Sequence, residues 1–373
     1  MIIPHKKYKI ALIGYRLGIG GAEKVMANLS IFFEKQVIEV HNIIVLDVVS
    51  YSFSGKLINL GLLKNKRNGI FNKLHRFLFL KRYLDENNFD FIIDFRFRIN
   101  PIQELLIAKW LYKSKTIFTV HSYLIDNYMP NWSFLTRFMH QDCYKMVVIT
   151  NKAKELIEFK HHLNNVQTIY NPINIEEIKS KSIETIDLNF EYIIGIGQME
   201  TNVKQFDKLI EAYSNSILPT NNIHLILLGD GERISILKSL AKQNNIDDKV
   251  HFLGFQENPY KYLKNAKFFV LSSLNEGLPN VILEALACGT PVVSFDFLSG
   301  PSEMILDKQN GLLVENQNVQ KLTEAMNLFY EDDKLYTFCK ENAFQSISHF
   351  NLEIIGNKWL DLMQIKYYKQ WRK

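Results

Sequence analysis

The chain has 373 residues, 47% apolar and 22% charged, with a formal net charge of +5. That length exceeds one ordinary core and suits two domains of about 150–200 residues each. The composition is that of a soluble globular protein, and no apolar run approaches the roughly 18 residues that span a bilayer. Cys143, Cys288 and Cys339 are scattered with no C-x-x-C pair, which argues against a disulfide framework or a zinc site. The opening MIIPHKKYKIALIGY passes into a strand pattern without a signal-peptide cleavage region, so a cytoplasmic protein is expected.

Strand-like runs alternate with helical patterns along the whole chain. In the first half the strands read 9–15, 41–48, 89–95, 115–121, 146–150 and 166–170, with helical stretches such as GAEKVMANLSIFFEK and NPIQELLIAKWLYK between them. Asn171-Pro172 ends this series, and the polar stretch 176–190 reads as a linker. In the second half the strands read 192–198, 223–230, 250–255, 268–273 and 291–296. Near-continuous β-branched runs alternating with helices predict an α/β chain with buried parallel strands in both halves. Two doubly wound domains in tandem leave a cleft, with ligands outside the carboxyl ends of the strands.

The stretch LNEGLPNVILEALACGTPVVSFD (274–296) lies at such a carboxyl end. It sets Glu276 in a strand-end loop and Glu284 inside the following helix. Between them the Gly277-Leu278-Pro279-Asn280 turn leads to a helix start, whose free N–H groups form an anion site. Hydroxyl-binding carboxylates flanking an anion cradle suit a sugar phosphate or nucleotide sugar. Read alone, the same stretch fits a plain strand–turn–helix equally well, its acids facing only the helix dipole.

These words, in this context, resemble the E-x7-E signature of glycosyltransferase family 4, the retaining group with the GT-B fold. GGAEKVMANL (20–29), GIGQMETNVKQFDKLIEAY (195–213), LLGDGE (227–232), VHFLGF (250–255) and NGLLV (310–314) match further segments in order. The resemblance implies two Rossmann-like domains facing a central cleft. Residues 1–172 would bind the acceptor, 190–350 the nucleotide sugar, and 351–373 would form a helix returning to the first domain. Glu276 would hold donor-sugar hydroxyls beside the reacting centre, Glu284 the ribose, and backbone N–H groups from Gly277 to Asn280 the distal phosphate. Lys204 would meet the diphosphate. Gly229 and Phe255, at the ends of the LLGDGE and VHFLGF strands, would join the donor site. Gly20 and Gly21 would lie near donor phosphate and acceptor, and His121 near donor sugar and acceptor. The family usually has Arg where this chain has Gln198; Gln brings a hydrogen bond but no charge, so Lys204, the helix terminus and another cation such as Arg16 or Arg233 would carry the leaving group.

The resemblance further implies transfer of a hexose or N-acetylhexosamine from a UDP-sugar, with front-side displacement and neither metal nor cofactor. SFDFLSGPSEMI (294–305) is similar to members that build bacterial surface polysaccharides. The acceptor would be a glycan or polyprenyl-linked saccharide. A nucleotide-sugar epimerase of the same fold and a non-catalytic membrane or UDP-binding protein are the competing readings; nothing resembles a nucleic-acid module. Charge adds a partner. Residues 1–172 carry +11, residues 173–357 carry −10, and the terminal 358–373 carries +4. The basic, Phe- and Leu-rich 62–84 and the aromatic 128–140 fit electrostatic, peripheral contact with the inner face of the cytoplasmic membrane, and fit an ordinary amphipathic packing helix equally well.

Overall fold

The computed structural model describes residues 7–18, 20–65 and 69–366. Residues 66–68 of the basic stretch and 367–373 of the basic tail therefore lie outside the described residues. The chain forms two compact units, one ending at Pro172 and regaining the chain from Leu352 onward, the other spanning Ile173–Asn351.

The first unit contains, in order, β1 (Lys9–Gly14), α1 (Gly21–Lys35), β2 (Glu39–Ile44), β3 (Lys56–Asn59), α2 (Ile70–Asn87), β4 (Phe91–Asp94) and α3 (Pro101–Leu106). A π-turn (Ile107–Leu111) extends α3, followed by β5 (Lys115–Val120), α4 (Ser133–His140), β6 (Lys145–Val148), α5 (Asn151–His161) and β7 (Val166–Thr168). All seven strands are parallel, in the order β3-β2-β1-β4-β5-β6-β7. Strand alternation divides the core. Ile10, Leu12 and Val147 face one way, against Val25, Leu29 and Phe33 of α1. Ala11, Ile13 and Phe118 face the other, against Leu80 and Leu84 of α2 and Ile107 and Leu111 of the π-turn. Right-handed crossovers put α2 to α5 on this second face.

The second unit contains α6 (Ile175–Ser182), β8 (Tyr192–Ile196), α7 (Phe206–Ser214), β9 (His224–Leu228), α8 (Ile234–Gln243), β10 (Val250–Phe252) and α9 (Tyr260–Asn265). Then come β11 (Phe269–Leu271), α10 (Asn280–Ala287), β12 (Val292–Asp296), α11 (Pro301–Met304), β13 (Gly311–Glu315), α12 (Val319–Glu331) and α13 (Asp333–Ser346). Its parallel strands run β10-β9-β8-β11-β12-β13. The order reverses between β8 and β11, as it does between β1 and β4 in the first unit, and ligands of doubly wound sheets sit at such switch points.

The last helix, α14 (Leu352–Leu362), packs on the first unit as the sequence resemblance implies. Ile355 and Trp359 join the α1 core, and Tyr144 donates to the Leu362 carbonyl at 2.8 Å. Gly356 permits the close crossing, since a Cβ there would lie 2.5 Å from the Phe32 ring.

Three expectations need correction. The stretch 176–190 is not wholly a linker, because α6 occupies its start. Asn174 caps that helix by accepting from Glu177 N at 3.2 Å, Ile175 and Ile178 are buried, and the Lys181 carbonyl accepts from Asn258 of the same unit. The strands β3 and β13 were not expected. Both are edge strands: β3 buries only Ile58, and β13 contains most of the NGLLV word matched to the family as a further segment.

Candidate functional site

The floor of the site in the second unit is backbone. Gly197, Gly229 and Gly254 follow the ends of β8, β9 and β10, and Gly229 N donates to Gly254 O at 2.8 Å while Gly197 N donates to Leu228 O at 2.9 Å. Gly229 has φ +132°, and a Cβ there would lie 1.9 Å from Gly197 O. Only glycine satisfies both demands. At Gly197 a Cβ would meet the Lys204 stem at 2.7 Å, so its absence lets the lysine lie across the strand end.

Lys204 closes a short 3-10 turn (Asn202–Lys204), and Gln205, at φ 46°, turns the chain into α7. The loop after β11 is pinned to it: Leu274 N donates to Val203 O at 2.8 Å, and Ser272 Oγ donates to Lys204 O at 2.8 Å. The two loops that meet at the switch point thus bring Lys204 Nζ within 2.8 Å of Glu276 Oε1. Ser273 Oγ donates to the same oxygen at 2.6 Å. The second Glu276 oxygen makes no hydrogen bond or ion pair among the described residues. Both side chains are mostly buried, with 21% and 16% exposure, so water screens the pair only in part.

Leu278 and Pro279 are buried and hold the turn that opens α10. The turn is braced from the loop after β12. Ser299 Oγ donates to Gly277 O at 3.1 Å, and Gly300, at φ +114°, lies so close that a Cβ would sit 2.6 Å from Pro279 Cδ. The helix buries Ile282, Leu283, Ala285 and Leu286, while Glu284 is half-exposed. The backbone N–H groups of Gly277, Leu278 and Asn280 lie at the start of α10, where the helix dipole favours an anion.

Gln198, exposed after β8, and Phe255, exposed after β10, sit at this same end of the sheet with Gly229. So does Arg233, half-exposed at the start of α8, its N–H donating to Met199 O at 3.0 Å. The second unit therefore gathers Gln198, Lys204, Gly229, Phe255, Glu276 to Asn280 and Glu284 at one sheet end. Among them Lys204 and Glu276 touch.

Gly20, Gly21 and His121 belong to the first unit. Gly20, at φ +128°, precedes α1, and Glu23 folds back toward it while pairing with Arg16 at 3.4 Å. Burial holds the Glu23 carboxyl above its usual range, against the pull of its own backbone N–H and of Arg16. His121 follows β5, its ring 5.5 Å from that of Phe95. Burial, then the nearby Arg98 charge, pushes its pKa down to about 3, with an interaction from the Asn171 side chain working the other way. The imidazole is neutral at pH 7 and offers a hydrogen bond, not a charge.

Sequence reasoning missed two features. One is Ser273. The other is a buried charge network after β4: Arg96 binds Asp94 at 2.7 Å and Glu104 at 3.0 Å, and Tyr112 donates to Asp94 at 3.1 Å. Arg98, wholly buried, donates to the carbonyls of Tyr128, Arg96 and Thr119 at 2.9, 3.1 and 2.8 Å. It thereby fixes the strand end two residues before His121. The signal was FRFR directly after a strand ending in Asp.

Residues 19–177 match the family described as Glycosyltransferase Family 4, and residues 176–346 match Glycosyl transferases group 1. Among curated relatives, the N-acetylgalactosamine-N,N'-diacetylbacillosaminyl-diphospho-undecaprenol 4-alpha-N-acetylgalactosaminyltransferase of Campylobacter jejuni is 33% identical over 347 residues, covering 90% of this chain and 93% of that protein. A second Campylobacter jejuni protein, the GalNAc-alpha-(1->4)-GalNAc-alpha-(1->3)-diNAcBac-PP-undecaprenol alpha-1,4-N-acetyl-D-galactosaminyltransferase, is 25% identical over 368 residues, covering 95% and 98%. Among solved structures, Anabaena HepE in complex with UDP superposes with a TM-score of 0.76 at 16% identity, covering 95% of this chain and 99% of that one. With both matched regions present in order and the fold shared, the chain belongs to the GT-B glycosyltransferases that join a Family 4 region to a group 1 region.

Proposed function

We propose that the protein is a retaining glycosyltransferase that moves an N-acetylhexosamine or hexose from a UDP-sugar to a polyprenyl-linked saccharide, in surface polysaccharide synthesis at the inner face of the cytoplasmic membrane. The observation that carries this reading is the Lys204–Glu276 pair, held by Ser273 beside the start of α10 at the β8/β11 switch point. Breaking the anomeric bond leaves negative charge on the diphosphate. Preorganised donors at that position stabilise it most effectively, because they need no reorganisation during the reaction. Lys204 and the N–H groups of the Gly277–Asn280 turn supply such donors without a metal, and the sequence carries no D-x-D triplet. Glu276 would release Lys204 to the diphosphate and use its carboxylate for hydroxyls of the donor sugar. Glu284 would bind the ribose. His121, neutral, would hydrogen-bond the sugar or acceptor. Gly20 and Gly21 would leave room for the donor phosphate. The leaving diphosphate oxygen would take the acceptor proton, so no side chain is assigned as nucleophile.

The names of the two Campylobacter relatives make UDP-N-acetylgalactosamine the first donor to try and a diphospho-undecaprenol-linked saccharide the first acceptor. The test is a transfer assay with a panel of UDP-sugars on short polyprenyl-diphosphate saccharides. An α-linked product that forms with at least one donor and disappears in Glu276→Gln supports the reading. No product with any donor, or conversion of donor without acceptor, rejects it.

A further inference from the structure

Two glutamines of the second unit take a backbone conformation that long side chains avoid. Gln205, directly after Lys204, has φ 46° and ψ 47°, and Gln317, between β13 and α12, has φ 66°. Left-handed backbone crowds a Cβ against the following carbonyl oxygen, so it suits glycine and, less well, asparagine. Here the two side chains bind each other. Gln205 Nε2 donates to Gln317 Oε1 at 2.9 Å, and Gln317 Nε2 donates to Gln205 Oε1 at 2.7 Å, which closes a ring between the amides. Lys208 Nζ donates to the same Gln317 oxygen, and Gln317 Nε2 also donates to Asn316 Oδ1 at 3.2 Å. Gln205 is 7% exposed, so its amide would be costly to leave unpaired.

The ring is anchored firmly on its far side. Asn318 caps α12 by accepting from Lys321 N at 3.0 Å and donates to Glu315 Oε2 at 2.8 Å. Thr323 of α12 donates to Ala212 O of α7 at 3.1 Å, so the two helices that begin beside the ring also pack together. On its near side stands Lys204. One flank of the Lys204 turn is pinned to the loop after β11 by Ser272 and Leu274. Gln205 is the other flank, and its backbone angles set the direction in which the turn leaves. The Lys204 stem lies over Gly197. A turn held on both flanks, with its side chain laid over a strand end, keeps Nζ where it meets Glu276 at 2.8 Å.

We propose that Gln205 and Gln317 are positioning residues for Lys204, and that their amide ring makes the loop after the edge strand β13 part of what presents this cation to the donor diphosphate. Contact of Lys204 with a diphosphate rests on the transferase reading above; its placement against Glu276 does not. The competing role for the ring is to fasten the starts of α7 and α12 with no effect specific to Lys204.

Gln205→Gly/Gln317→Gly tests it. The double change removes the ring, gives each position the residue its backbone favours, and leaves neither amide without its partner. The first readout is lysine acylation followed by mass spectrometry, with no nucleotide present. Lys204 should label about fivefold faster than in the wild type, because its turn opens locally. Lys267, similarly covered and paired with Glu191 at 2.9 Å, should keep its rate. The second readout is calorimetry with UDP. Affinity should fall about five- to tenfold, and the same two changes should cost nothing further in a Lys204→Met background, since residues that act through one another are not additive. If the double variant loses stability, Gln317→Asn replaces it: asparagine tolerates the same backbone but is one methylene too short to close the ring, and Lys204 labelling should again rise. Unchanged Lys204 labelling in a folded variant overturns the proposal. So does an equal loss of UDP affinity in the Lys204→Met background, which is what general loosening of α7 and α12 would give. A wild type that binds no UDP rejects the transferase reading alone, and the labelling still decides the role of the ring.

Discussion

Glu276 and Lys204 hold each other at 2.8 Å, and this contact gives their variants opposite signatures. Lys204 must leave Glu276, at least in part, to meet a diphosphate. Glu276→Gln should therefore lower turnover about 10²–10³-fold, the scale set by loss of a group aligned at a reacting centre, while UDP affinity by calorimetry does not fall. Lys204→Met should weaken UDP itself, about tenfold or more, through loss of charge-assisted bonds. Equal loss of UDP affinity in both variants would defeat this division of roles. Gln198 adds a third measurement. It is exposed at the end of β8, on the same sheet end as Lys204. Gln198→Arg should tighten UDP by about 1–2 kcal/mol if the new guanidinium reaches phosphate. An unchanged affinity would assign that place to another cation, with Arg233 of the same sheet end the first to remove. At this scale the E-x7-E residues and Lys204 were legible because their words are long and specific. Ser273 was not, since a serine at a strand end has no distinctive pattern. Arg96 and Arg98 were unreadable for a different reason: FRFR reads as solvated charge, and only the packing of Asp94, Glu104 and three carbonyls around it reveals a buried network.

At the scale of elements, the site depends on loops braced by other loops. Gly300 shows the dependence most sharply. It takes a positive φ, and its Cα lies against Pro279 in the turn that opens α10. Gly300→Ala is strained by conformation and also pushes the Gly277–Asn280 turn. It should lower the melting temperature modestly and weaken UDP binding by more than that loss of stability accounts for, read by calorimetry at a temperature where the variant is fully folded. UDP binding equal to wild type would show that the turn tolerates displacement. The same dependence explains which elements sequence reading found. Central strands such as β1 and β9 are buried on both faces and read as unbroken apolar runs. The edge strand β3 buries one side chain and has no such run. The helix α6 buries one narrow stripe and is polar elsewhere, so its composition resembles a linker although Asn174 and Glu177 form a capping pair.

At the scale of the whole molecule, the two units differ in how acid should affect them. In the first, burial is the leading cause that lowers His41, His121, His140 and His161 below the usual imidazole range, His121 to about 3 and His161 to about 4. In the second, burial lowers His224 and His251, which share a hydrogen bond at 2.8 Å. A histidine whose folded pKa lies below its unfolded value stabilises the fold above the unfolded pKa. That stability is lost as pH falls toward the folded pKa, at up to about 1.4 kcal/mol per pH unit below about 6.5 for each group held neutral. Net charge acts in the same direction. Residues 1–172 already carry +11 and gain self-repulsion on protonation, whereas residues 173–357 carry −10 and lose it. The first unit should therefore unfold before the second as pH falls from 7 toward 5. Tryptophan separates the two: Trp110, Trp132 and Trp359 sit in the first unit, and residues 173–351 contain none. On acid titration, the fluorescence transition should come at higher pH than the main loss of far-ultraviolet circular dichroism, which reports both units. His140→Phe, a ring replacement with no proton to gain, should move the fluorescence midpoint to lower pH and leave the later dichroism step in place. Coincident transitions would mean that the units unfold together and that neither the buried histidines nor the charge asymmetry sets the order.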